Sequence, residues 1–218
     1  MKEKYSAVLD SGIGGFSVLL PLMKKLPKER YVYYMDKANF PYGNKSKREI
    51  VDILEQNINQ IMSKYPVKLI ILACNTATTS AINELRRKLC VQIVGISPLD
   101  CSLTGDEIIF CTKLTAKNLP KSAKIMPCNN LATQIENNIF YPNKLKKIIQ
   151  KTFKPYANDR IVLGCTHYLL VKNIISEIYP NITIVDNSSQ LLHNIVDLLD
   201  RLHLRAEFNH KELIVMQS

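Results

Sequence analysis

From residue 67 to residue 73 the chain is apolar at every position except Lys68, and the run ends in Cys74-Asn75-Thr76-Ala77-Thr78. A segment this short and this uniformly apolar has no polar face to offer water, so it predicts a strand covered on both sides. Strands of that kind belong to parallel sheets flanked by helices, and the neighbouring patterns agree. Residues 5–9, 31–35 and 91–96 also read as strands. Between them, Phe16, Val18, Leu19, Leu22 and Met23 have helical spacing, as do Ile50, Leu54, Ile58 and Ile61 and the stretch 76–88. Ser46 and Glu49 form a capping box before the second of these helices, and Pro66 follows its end. The alternation of strand and helix predicts an α/β fold with a mainly parallel sheet.

Beyond Ser97-Pro98 the elements shorten. Strands are expected at 107–111, 124–126, 160–164, 181–185 and 212–216. Helices are expected at 130–140, after Pro142, from 166 to 179, and at 188–202. Val162-Leu163-Gly164-Cys165-Thr166-His167-Tyr168 repeats the earlier design: an apolar run, a small residue, a cysteine, then a polar hydrogen-bonding residue. This weak two-part repeat predicts two pseudo-symmetric lobes, each a parallel sheet flanked by helices. The first would take 1–96 and return for about 187–218; the second would take 97–186.

In an open parallel sheet, ligands bind at the carboxyl ends of the strands. Two such ends carrying thiols could face one another across a cleft between the lobes. That arrangement suits moving a proton from one face of a carbon to the other, because a base and an acid on opposite faces can exchange roles. A free thiol ionises near pH 8.5, within reach of modest local tuning. The segment Asp10-Ser11-Gly12-Ile13-Gly14-Gly15 leads a strand into a helix, but G-x-G-G meets neither common nucleotide-binding spacing.

Composition narrows the class. The 218 residues are 46% hydrophobic and 22% charged, ordinary for a globular protein. No apolar run approaches a membrane span, and the opening lacks the apolar core of a signal peptide, so a cytoplasmic protein is expected. The net charge of +10 comes from scattered lysines without interleaved aromatics, so nucleic-acid binding ranks last. None of the six cysteines forms C-x-x-C, so a structural zinc site is not expected, and in a cytoplasmic chain disulfides are not expected either. Cys90, Cys101, Cys111 and Cys128 read as small buried hydrophobes.

The segments Asp10-Ser11-Gly12-Ile13-Gly14-Gly15-Phe16, Asn39-Phe40-Pro41-Tyr42-Gly43, Ala73-Cys74-Asn75-Thr76 and Gly164-Cys165-Thr166-His167-Tyr168 together resemble the glutamate racemase family, in the family's order and across most of the chain. The A-C-N-T segment alone resembles the wider aspartate/glutamate racemase superfamily. The resemblance implies interconversion of L- and D-glutamate by two cysteines with no cofactor and no metal, D-glutamate supply for peptidoglycan, and a homodimer. It assigns Cys74 to proton abstraction from D-glutamate and Cys165 to abstraction from L-glutamate, with Asp10 beside the first and His167 beside the second. Ser11, Pro41, Tyr42, Gly43, Asn75, Thr76 and Thr166 would surround the substrate, joined by Asp10, His167, Thr112 and Thr115. Glu136 would be an acidic helper near the second thiol.

Plainer readings stand beside these. Asp10 could cap the following helix, Tyr42 could serve only its turn, and Thr112 and Thr115 could be a helix cap and a core-edge hydroxyl. Glu136 falls on a helix face that reads as exposed and solvated. The chain also departs from the family: the stretch between Cys111 and Arg160 is short, Ser97-Pro98 replaces Glu-Pro, Leu169 replaces a proline, and Pro127-Cys128 inverts a Cys-Pro pair. The alternatives are a racemase of aspartate or another amino acid, and an amino-acid-binding protein without turnover.

Overall fold

A computed structural model describes residues 4–185, 187–206 and 211–218. The expected opening (residues 1–3) and the expected lobe boundary at 186 lie outside the described residues. The first sheet contains β1 (Tyr5–Asp10), β2 (Arg30–Met35), β3 (Val67–Leu72), β4 (Gln92–Gly95) and β9 (Glu212–Gln217), in the order β4-β3-β1-β2-β9. The second contains β5 (Ile108–Cys111), β6 (Lys124–Pro127), β7 (Arg160–Gly164) and β8 (Thr183–Val185), in the order β6-β5-β7-β8. Every pairing among the described strands is parallel.

Strand β3 lies inside the first sheet and is covered on both faces, as its apolar run predicts. Ile70 and Leu72 pack with Ile50, Leu54 and Ile58 of α2 (Lys47–Lys64) and Ala81 and Leu85 of α3 (Asn75–Lys88). Leu69 and Ile71 point the other way, to Val18, Leu19 and Leu22 of α1 (Phe16–Lys25) and Leu191, Ile195 and Leu199 of α9 (Ser188–Arg201). Burying each such side chain contributes about 1.5–3 kcal/mol, so this two-sided core fixes the strand's place and register. Lys68, the one charge in the run, is buried against Glu29, Nζ to Oε2 2.6 Å. The capping box before α2 forms: Ser46 Oγ accepts from Glu49 N at 3.2 Å, and Ser46 N donates to Glu49 Oε2 at 2.7 Å.

The second sheet is flanked by α4 (Lys113–Asn118), α5 (Leu131–Asn138), α6 (Pro142–Phe153), α7 (Thr166–Leu170) and α8 (Lys172–Ile178). Phe110, Ile161 and Leu163 of this sheet pack with Ile135, Ile149 and Phe153 on one face, while Ile109 and Val162 meet Leu119 on the other. Two expectations change. The helix after Cys165 is two helices, because Val171 (φ −106°, ψ 9°) bonds back three residues to Tyr168 O and then caps the next helix. Of the four cysteines expected in the interior only Cys111 is buried. Cys101 and Cys128 are half-buried, and Cys90 is exposed in the link from α3 to β4, where no core lies against it. Among the described residues no helix is long and apolar enough to cross a membrane.

Candidate active site

Four strands end where chemistry-bearing residues begin. β1 ends in Asp10, β3 leads to Cys74, β5 leads to Thr112 and β7 leads to Cys165. Cys74 and Cys165 are the residues immediately before α3 and α7, each in extended conformation and each buried. Burial pushes the Cys74 thiol up to about 12, and the Asp10 carboxylate adds to the rise. The backbone N–H groups of Ala77 and Thr76 and the Ser11 hydroxyl work in the opposite direction. Burial likewise raises Cys165 well above the ordinary thiol range, and the nearness of Cys74 raises it further. The backbone N–H groups of His167 and Tyr168 oppose that rise. Burial therefore favours the neutral thiol at both sulfurs, and Cys165 also feels Cys74.

Asp10 lies between the halves. Its Oδ1 accepts from Gly12 N at 2.9 Å and its Oδ2 from Thr166 Oγ1 at 2.9 Å. Burial raises its pKa, countered by the nearby His167 and by those two hydrogen bonds. It does not cap the next helix: its backbone partner, Gly12, lies two residues on, in the turn before α1.

His167 is clamped from both sides. Its Nε2 lies 2.6 Å from Glu136 Oε2, and its Nδ1 lies 4.0 Å from Cys165 Sγ. Glu136 also accepts from Ile13 N at 3.0 Å. The Glu136 side chain is 9% exposed, so its reading as a solvated residue is corrected: the exposed face of α5 is covered by the glycine turn of the other half. Burial works against the Glu136 carboxylate, but the bond to His167, the His167 charge, the Ile13 N–H and Lys37 together outweigh it and hold the pKa below the usual range. An ionised carboxylate only accepts, so Nε2 carries a ring proton, and in a neutral ring Nδ1 then has its lone pair toward Cys165. The glycine turn comes this close because it lacks side chains: a Cβ on Gly14 would stand 2.6 Å from both His167 Nδ1 and Thr166 Oγ1.

A second group lies alongside. The hydroxyls of Thr76, Thr112 and Thr115 form a triangle, with Thr76 to Thr112 at 2.9 Å, Thr76 to Thr115 at 3.1 Å and Thr112 to Thr115 at 3.0 Å. Thr112 also caps α4, accepting from Thr115 N, so the capping role expected of this pair is met as well. Gly43 abuts Thr112 so closely that a Cβ would stand 2.8 Å from the threonine Cβ. Pro41, joined to Phe40 by a cis bond, lines with Gly43, Thr112 and Asn130 a cleft of about 210 Å³. Asn75 is buried, with Oδ1 facing Asn187.

Tyr42 behaves differently. Its hydroxyl is buried and donates to Asp36 Oδ2 at 2.6 Å, where Asn57 Nδ2 also donates at 2.9 Å and Asn39 Nδ2 at 3.1 Å. The hydroxyl thus holds the loop to the core, while Pro41, Gly43 and Asn44 of the same turn border the cleft. Sequence reasoning missed Asp36, although its place at the end of β2 matched that of Asp10 at the end of β1. It also missed Phe40, whose ring lies 5.3 Å from that of His167, and Asn187. Among the described residues no group of three His, Cys, Asp or Glu side chains could hold a metal ion.

No protein-family model matches the chain. The glutamate racemase of Clostridium acetobutylicum is 37% identical over 221 residues, covering 92% of this chain and 86% of that protein. Among solved structures, a glutamate racemase isoform from Bacillus anthracis superposes with a TM-score of 0.85 at 23% identity, covering 100% of this chain and 89% of that one. The glutamate racemase of Francisella tularensis, solved in complex with D-glutamate, gives 0.82 at 24% identity over 100% of this chain and 89% of that one. The structures share the fold, and the identity to the clostridial protein extends over nearly the whole sequence; the chain belongs to the glutamate racemase family.

Proposed function

We propose that the protein interconverts L- and D-glutamate by proton transfer between Cys165, the substrate α-carbon and Cys74. The observation that carries this reading is the pair of buried thiols just past the ends of β3 and β7, with Asp10 hydrogen-bonded between the halves. Glu136 holds the Nε2 proton of His167, so the Nδ1 lone pair can take the Cys165 proton and leave a thiolate. The thiolate removes the α-proton of L-glutamate, and Cys74 delivers its own proton to the opposite face. The enzyme is left with Cys165 as thiol and Cys74 as thiolate, the starting form for the reverse direction. One proton enters and one leaves, so the balance closes. The substrate ammonium and the backbone N–H groups behind each sulfur offset the burial that otherwise keeps both thiols neutral. Asp10, placed beside both, orients the ammonium. Ser11, Asn75, Thr76, Thr112, Thr115, Thr166 and the backbone of Pro41-Tyr42-Gly43 supply donors and acceptors for the remainder.

On this reading residues 1–96 with about 187–218 form one lobe and 97–186 the other, closing on the substrate and excluding water from the carbanion. The protein works as a homodimer and supplies D-glutamate for peptidoglycan in a walled cell. The test is Cα proton exchange in D2O with both enantiomers of glutamate and aspartate, with optical rotation followed in parallel. Deuterium incorporation with inversion of glutamate is expected, and loss of turnover in both Cys74→Ala and Cys165→Ala. Inversion of aspartate alone moves the substrate assignment, no exchange with either leaves a binding protein, and full activity in either variant ends the two-thiol mechanism.

A further inference from the structure

The chain passes between its two sheets twice, once from β4 to β5 and once from β8 to α9. Asn187 lies at the second passage, immediately before α9, and is completely buried. Its Nδ2 donates to the backbone carbonyl of Ser97, at the first passage, at 2.7 Å. The same Nδ2 lies 3.4 Å from Asn75 Oδ1. One amide therefore joins both passages to the residue that follows Cys74.

The direction of these bonds is not free. A backbone carbonyl only accepts, so the atom facing Ser97 O has to be Asn187 Nδ2. The second proton of that nitrogen needs an acceptor, which turns Asn75 Oδ1 toward it. Asn75 Nδ2 is thereby fixed on the opposite side of its own amide, where it is buried and has no hydrogen-bond partner among the described residues. An unmade buried donor is costly, and this one belongs to the residue that follows Cys74 at the start of α3, where a bound ligand group can complete it.

We propose that Asn187 is a positioning residue that sets the orientation of the Asn75 side-chain amide and holds Asn75 Nδ2 ready as a donor to a substrate carboxylate. Because Asn187 is anchored on Ser97, the donor is presented only while the two passages keep their mutual position. The inference rests on the glutamate reading for the identity of the ligand, and on geometry alone for the orientation.

The test uses the full chain and two variants. Asn187→Leu removes the donor. Asn187→Asp keeps the volume but offers only acceptors, so it draws Asn75 Nδ2 toward itself and consumes the free donor. In both, KM for glutamate is expected to rise roughly 10-fold while kcat changes far less, the mark of a lost binding contact. Thermal midpoints report any loss of packing separately. Side-chain amide NMR supplies a readout independent of turnover: the Asn75 Nδ2 cross-peaks should move when D-glutamate binds the parent protein, and should shift or split in Asn187→Asp without ligand. An unchanged KM in folded Asn187→Asp overturns the proposal, as do Asn75 signals indifferent to D-glutamate in a parent that binds it. A parent that neither binds nor turns over glutamate overturns the glutamate reading instead. The orientation is then judged by the ligand-free cross-peaks, and Asn75 signals identical in parent and variant overturn it.

Discussion

Glu136 Oε2 lies 2.6 Å from His167 Nε2, and the same oxygen receives the backbone N–H of Ile13 at 3.0 Å, so one carboxylate ties the glycine turn of the first half to the ring behind Cys165. Glu136→Gln keeps the shape but can no longer hold the imidazolium. Turnover is expected to fall by about 10- to 100-fold, the range for a charge-assisted hydrogen bond. The free energies of the two enantiomers are equal, so kcat/KM must fall equally in both directions. The asymmetry will show in isotope effects: the effect of Cα deuteration should grow for L-glutamate, whose proton Cys165 takes, and not for D-glutamate. Equal isotope effects in both directions would detach Glu136 and His167 from Cys165.

Gly14 packs directly against the Thr166-His167 turn of the other half. An added Cβ would meet His167 Nδ1 and Thr166 Oγ1 at 2.6 Å and the His167 backbone nitrogen at 2.8 Å. Gly14→Ala is expected to displace the Thr166-His167 turn and cut turnover by about 100-fold, since small misplacements of catalytic groups are costly. Its thermal midpoint should fall only by several degrees, as for modest overpacking. Steady-state kinetics and calorimetry on the same preparation separate the two effects.

Much of this was legible in the sequence because it is local. The apolar run through Ile70 and Ile71 specifies a strand with two covered faces, and Ser46 with Glu49 specifies the start of α2, whatever the rest of the chain does. Cys74 and Cys165 stand out because a thiol between an apolar strand and a polar helix start has a chemical use. What could not be read was contact across long separations. Glu136 looks solvated from the periodicity of α5, and Ile13 and His167, both distant in sequence, cover its carboxylate. Tyr42 sits in a turn motif that says nothing of Asp36, whose carboxylate takes the hydroxyl. The split at Val171 escaped notice because the apolar spacing continues across it.

The buried thiols also govern behaviour at high pH. Burial pushes Cys74 and Cys111 up to about 12 and Cys128 up to about 11. Unfolded thiols ionise near 8.5. The unfolded state therefore loses protons first as pH rises, so the stability these groups contribute is intact below about pH 8.5 and declines through the folded values. Thermal midpoints should fall progressively from about pH 9 upward under reducing conditions. Cys111→Ala removes one of the groups and should flatten that fall relative to its own neutral-pH midpoint. An identical slope would mean that Cys111 ionises in the fold as easily as in the unfolded chain.

Lys68 interrupts the apolar run of β3, yet its ammonium is buried, 2.6 Å from Glu29 Oε2 and 2.5 Å from Leu204 O. The other Glu29 oxygen accepts from Ala206 N at 2.8 Å. The pair therefore joins the start of β3 to the segment following α9. Removing one partner leaves the other charged, buried and unpaired, which costs about 3–5 kcal/mol in comparable sites. Lys68→Met should therefore be strongly destabilising in urea, by an amount in that range. The double variant Lys68→Met with Glu29→Gln leaves no buried charge, and the glutamine Oε1 can still accept from Ala206. It is expected to recover a large part of the loss, because the cost lies in the uncompensated carboxylate more than in the missing attraction. A double variant as unstable as Lys68→Met alone would place the cost instead in the lost contacts to Leu204 and the chain beyond it.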